Sequence, residues 1–121
     1  MRGGNHMATA DDVREIALSL PRAYEALVRD QVKFRVGRIV FLALSRDETL
    51  MGFGFPKEER AALVAAEPST YLMPEKNDLR FNWVVARTAA LDPDVMTERV
   101  CEAWTMVVPK FLVRERLGER T

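Results

Sequence analysis

The chain has 121 residues, with 18 Lys and Arg balanced by 18 Asp and Glu for a formal net charge of +0. That length accommodates one domain with one core, and the balance removes any global field that would draw the whole surface to nucleic acid or an anionic membrane. Its single Cys, Cys101, excludes an internal disulfide, and its single His, His6, leaves no material for a Ser-His-Asp triad, a Cys-His pair or a Cys/His zinc site.

The opening MRGGNHM has the look of an expression-tag remnant over residues 1–6, placing the domain at residues 7–121. A lone thiol suits a reducing compartment, and no run approaches the roughly 18 apolar residues of a membrane span. The expectation is a cytoplasmic protein with no membrane association.

Val13, Ile16, Ala17 and Leu20 recur at helical spacing. Thr9 stands as N-cap, acids occupy the first turns, and Pro21 is the stop. From Tyr24 to Phe55 the period changes to that of strands: a weak one over Glu25–Val28, then Lys33–Val36, which alternates charged with apolar, then Ile39–Leu44, apolar on both faces. Gly37-Arg38 reads as a tight turn, and Ser45–Glu48 as a polar turn before a strand over Thr49–Phe55.

Gly52 and Gly54 share one face of that strand, which invites close approach by a packed helix or by a partner. Pro56 sits at a helix start, and Lys57–Glu67 follows as a helix with Ala62, Leu63 and Ala66 expected to face inward. Thr70–Met73 reads as a short strand, Pro74–Leu79 as a loop, and Arg80–Arg87 as a longer strand with Phe81, Trp83 and Val85 on one face. Asp92-Pro93 caps a helix carrying Met96, Val100, Ala103, Trp104 and Val107. Pro109 interrupts it, and Phe111–Leu117 is a last helical segment ended by Gly118.

The order α-β-β-β-β-α-β-β-α-α implies an α+β fold: a single-domain, twisted antiparallel sheet with helices packed on one face and the other face partly open. The spacing of Lys33 and Arg35 puts both on one face, expected to be the open one.

Several features, in order, resemble the MmcQ/YjbR family: the helix ending Leu20-Pro21, the hairpin from Phe34 to Phe41, Trp83-Val84-Val85 before Asp92-Pro93, and Ala103-Trp104 followed by Pro109-Lys110. The resemblance runs from about Thr9 to Val113. It implies a frataxin-like (CyaY-like) α+β fold and, by the family's designation, DNA binding. Phe34-Arg35-Val36 matches the start of the family's hairpin. Gly37 falls one place early for the turn glycine, Arg38 and Ile39 stand where the family tends to have Gly and Lys, and Thr105 and Phe111 replace basic residues. These departures thin the positive surface.

The residues singled out for nucleic-acid contact are Lys33, Arg35, Arg38 and Arg46 in the hairpin region, with Lys110 and Arg114 as a second basic group. Against this stands a solvated sheet face whose cations pair with Glu25, Asp47 or Glu48. Gly52 and Gly54 mark an alternative, a face for a protein or small ligand, or for a second copy in a homodimer. Asp11, Asp12 and Glu15 are too few for an iron ridge and sit where a helix N-terminus favours acids, so no metal is expected. Trp83 and Trp104 are expected in the core, and Cys101 as an inert thiol. No carboxylate pair is placed for acid–base work, and no cofactor is implied. The sequence therefore reads as a non-enzymatic binding protein.

Overall fold

The computed structural model describes residues 7–118, so the expected tag remnant at residues 1–6, with His6, lies outside the described residues. Six strands form one sheet: β1 (Ala23–Val28), β2 (Gln31–Val36), β3 (Ile39–Leu44), β4 (Leu50–Gly54), β5 (Tyr71–Leu72) and β6 (Trp83–Arg87). Their order across the sheet is β1-β2-β3-β4-β6-β5, and every neighbouring pair is antiparallel. Four α-helices complete the α+β fold: α1 (Ala10–Ser19), α2 (Lys57–Ala66), α3 (Pro93–Thr105) and α4 (Lys110–Gly118).

The helix starts follow from their caps. The Thr9 hydroxyl accepts from the Asp12 N–H while the Asp12 carboxylate accepts from the Thr9 N–H, a reciprocal box that satisfies two donors the helix leaves free. Asp92 accepts from the Asp94 N–H at 2.7 Å, with Pro93 occupying the first helical position. The segment expected as a loop over Pro74–Leu79 contains a short 3-10 turn, Lys76–Asp78.

Two two-residue turns fold the first three strands into a meander. Gly37, at φ 61, closes β2 onto β3 as expected, and the Tyr24 hydroxyl donates to its carbonyl. Between β1 and β2 the turn is Arg29-Asp30, both at positive φ (53 and 67) without a glycine.

α1 and α3 pack together on one face of the sheet. Val13, Ala17, Val100 and Trp104 from the helices meet a layer of Phe34, Leu42, Met51, Phe53 and Val84, all essentially inaccessible. Each large side chain so buried stabilises the fold by about 1.5–3 kcal/mol relative to exposure. The Trp104 indole N–H donates to the Pro21 carbonyl at 2.9 Å, tying α3 to the end of α1.

The apolar run Ile39–Leu44 has a specific cause. Phe34 pairs with Leu42 but Arg35 pairs with Val40, so Phe41 is an extra residue on β3, a β-bulge that lets both Phe41 and Leu42 be buried. Cys101 is partly buried against the same core.

α2 departs from expectation. It lies along β6 and β5 and turns Arg60, Leu63 and Val64 inward, while Ala62 and Ala66 are exposed. Residues 60, 63 and 64 form an i, i+3, i+4 stripe. The 6 % exposed Arg60 fills the slot by donating to the carbonyls of Leu79, Phe81 and Trp83. Those three carbonyls anchor the chain entering β6.

Candidate functional site

The face of the sheet away from α1 and α3 is defined by register. Ala26, Lys33, Ala43, Gly52, Val85 and Leu72 form one row across all six strands, each the pairing partner of the next. Alternation then assigns Tyr24, Arg35, Val40, Trp83 and Arg87 to the same face, and Glu25 to the other. The strands thus give the open face three cations, Lys33, Arg35 and Arg87, and no carboxylate.

Two of the acids expected to neutralise the hairpin, Glu25 and Asp47, are engaged elsewhere. Glu25 accepts from Arg14 of α1 at 3.1 Å. Asp47 is held within its own turn, accepting from the Ser45 hydroxyl (2.7 Å), the Thr49 N–H (3.1 Å) and the Thr49 hydroxyl (2.8 Å). These bonds, that from Ser45 foremost, hold its carboxyl below the usual pKa. The ion pairs found among the described residues are Arg14 with Asp11 and Glu25, and Arg99 with Glu102. None involves Lys33, Arg35 or Arg38.

Arg99 shows what a structurally committed cation looks like here. Burial opposes its charge, but a hydrogen bond to the Tyr71 hydroxyl (3.0 Å) and the nearby Glu102 raise its pKa above the ordinary value. Its guanidinium also lies 5.7 Å and 5.3 Å from the Phe55 and Tyr71 ring centroids.

Where β3 and β4 diverge, the open face becomes a groove of about 510 Å³. Their pairing covers only Leu42–Leu44 against Met51–Phe53, so Ile39 and Val40 are paired to β2 alone and the bulged Phe41 lies between the two ladders. Lys33, Val40 and Ala43 line one side of the groove, Asp78, Phe81, Asn82 and Trp83 the other, with Met106 and Val107 beyond the end of α3 closing it. Three of its residues are large exposed apolar side chains: Ile39, Phe81 and Met106. The Arg80 guanidinium stands 4.7 Å from the Phe81 ring centroid.

The rim segment is fixed from α2. Arg60 holds the carbonyls of Leu79, Phe81 and Trp83, the Lys57 ammonium donates to the Arg80 carbonyl at 3.1 Å, and the Lys57 N–H donates to Asn82 Oδ1 at 3.0 Å. A positioned aromatic rim flanked by cations can stack planar groups and attract anions; with one lysine and one aspartate as its charged lining, it has little equipment for proton transfer.

The YjbR family model matches residues 18–106. The chain belongs to the YjbR family. Among solved structures, the fold is shared with Deinococcus radiodurans protein DR2400, described by the family-model domain DUF419, at a TM-score of 0.74 and 19% identity. The similarity covers 93% of this chain and 89% of that one. Comparison with curated proteins gives no match.

In this YjbR chain the basic residues read from the sequence do not form one patch. Lys33 and Arg35 share the open face, and Arg38 is exposed at the Gly37 turn beside it. Arg46 lies at the other end of the hairpin, about 20 Å away by strand length, donating to the Arg29 carbonyl at 3.1 Å. Lys110 and Arg114 are exposed on α4. Phe111 of that helix lies under the Arg22 guanidinium, 5.8 Å away, next to the start of β1. Since Ala23 pairs with Val36, this is the Arg38 end of the sheet.

Both glycines are approached by the chain itself. A Cβ at Gly52 would lie 2.5 Å from the Trp83 indole, and one at Gly54 would meet Met106 and Ala103 of the α3 region. Trp83, expected in the core, is half-buried on the outer face; Val84 and Ala86 take the core positions instead.

The rim residues Arg80, Phe81 and Asn82 were not singled out by sequence reasoning. The available signal was the Phe81-x-Trp83 alternation directly after Arg80. Among the described residues there is no group of three or more His, Cys, Asp or Glu that could hold a metal, and no helix long and apolar enough to cross a membrane.

Proposed function

We propose that this protein is a non-enzymatic binding module that takes nucleic acid on the open face of its sheet. The carrying observation is that Lys33 and Arg35 stand on that face without a carboxylate partner among the described residues, beside the groove that Trp83 lines. An anionic backbone supplies the missing counter-charge and gains from counterion release. The reading agrees with the DNA binding that the sequence resemblance implies. It keeps Lys33, Arg35 and Arg38 as the contacts and leaves Arg46, which donates to the Arg29 carbonyl at the other end of the hairpin, outside the interface, with Lys110 and Arg114 as outlying contacts. With a chain of zero net charge and few phosphate contacts, the affinity is weak.

Fluorescence anisotropy of labelled DNA at about 50 and 200 mM salt tests the proposal. The expected result is binding that weakens steeply with salt and disappears in Lys33→Ala/Arg35→Ala/Arg38→Ala. Absence of binding at both salt concentrations overturns it.

A second reading rests on the groove volume. About 510 Å³ lies within the roughly 300–1,000 Å³ of small-ligand sites. A ligand of this kind would show affinity nearly independent of salt.

A further inference from the structure

We infer that the groove receives unpaired bases, so that the nucleic acid bound on this face is single-stranded, its bases stacking on Phe81 and Trp83. This rests on the nucleic-acid reading above and specifies its substrate.

Three observations point the same way. Phe81 is 49 % exposed although the backbone that carries it is clamped by Arg60 and Lys57; binding on its ring then costs little backbone entropy. The Arg80 guanidinium sits against that ring, and stacked guanidinium and aromatic groups are a platform for base faces. Trp83 lies across the bare backbone of Gly52, which shares the cross-strand row of Lys33 with Ala43 between them, so an aromatic surface and a cation are presented together. A duplex keeps its bases stacked inside and offers a side chain only edges and phosphates; the exposed rings gain from base faces only when the strand is unpaired.

The charges divide the groove in a matching way. Lys33 lines one side and Asp78 the other. The carboxylate repels phosphate from its own side, leaving that side to bases, whose unpaired N–H groups, the N3–H of thymine among them, donate to acceptors. The backbone then runs along Lys33 and Arg35. Ile39 and Met106, both exposed, extend the apolar surface to flank a stacked base.

The test compares a labelled oligo(dT) of about 15 nucleotides, near the upper site size of single-strand binders, with its duplex on oligo(dA), at low salt, and follows tryptophan emission. Trp104 is 1 % exposed, so quenching by bases reports Trp83. The expected result is single-strand affinity at least about tenfold above duplex, quenched emission, and about tenfold loss in Phe81→Ala, an exposed position whose substitution spares the core. Equal affinity for both forms, or an unaltered Phe81→Ala, overturns the stacking inference while leaving the salt-dependent binding intact. No binding to either form overturns both.

Discussion

The indole of Trp83 fills the space above Gly52, so closely that a Cβ there would lie 2.5 Å from Nε1, 2.8 Å from Cε2 and 2.9 Å from Cζ2. Glycine at 52 is therefore a packing requirement of the tryptophan. Gly52→Ala forces the indole off its seat, at a cost of about 1–3 kcal/mol in urea unfolding, and changes tryptophan emission. Gly54→Ala meets Met106 Sδ at 3.4 Å and Ala103 at 3.6 Å, ordinary contacts with a flexible neighbour, and costs less than about 1 kcal/mol. If the 52 clash is the cause, Trp83→Ala in the Gly52→Ala background costs less than in the wild type.

Arg60 is a buried cation that meets no carboxylate among the described residues and instead holds three carbonyls of the rim segment. Arg60→Met keeps much of the side-chain volume but removes those donors, and is expected to cost about 2–4 kcal/mol in denaturant unfolding. Amide exchange speeds up over residues 79–83 ahead of the central strands. Arg60→Lys does not restore stability, because one ammonium cannot span the three acceptors in the same geometry.

The Asp47 carboxyl is held below its ordinary pKa by the Ser45 hydroxyl and by the Thr49 N–H and hydroxyl. A carboxyl with a folded pKa below its unfolded one adds stability above the unfolded value, and that contribution is lost as pH falls through the folded value. Asp47→Ala thus lowers the melting temperature at neutral pH, and its difference from wild type shrinks as pH falls through the acid range. Carboxyl titration by NMR shows the Asp47 pKa rising toward the ordinary range in Ser45→Ala.

The Arg29-Asp30 turn places two non-glycine residues at positive φ. Arg29→Asn/Asp30→Gly supplies the residues this turn geometry favours and is expected to stabilise the protein by about 0.5–1 kcal/mol, seen as a raised melting temperature. A lowered melting temperature would mean that the native side chains contribute contacts exceeding their backbone strain.

What the sequence made legible was local. Thr9 with Asp12, Asp92 with Pro93, and Gly37 in its turn each act within a few residues, and each does in the fold what its chemistry indicates. The Arg29-Asp30 turn was missed because neither residue announces a positive φ. Alternation put Phe81, Trp83 and Val85 together but carries no sign for which face is inside. The packing of α3 and the bare backbone of Gly52 decide that, and the larger Trp83 goes outward while Val84 and Ala86 go in. Burial of Arg60 was invisible because its acceptors come from residues 79–83, remote in sequence. The separation of the basic residues was hidden for a related reason: Arg38 and Arg46 are close in sequence but lie at opposite ends of β3.

The most direct test of the open face as the binding surface is a two-dimensional amide NMR titration with single-stranded oligo(dT) at low salt. Shifts are expected for the amides of Lys33, Arg35, Ala43, Gly52 and Phe81 and for the Trp83 indole N–H, with α1 and the buried Trp104 indole unmoved. Shifts centred on the α1–α3 side of the sheet, or none at saturating oligonucleotide, would contradict it.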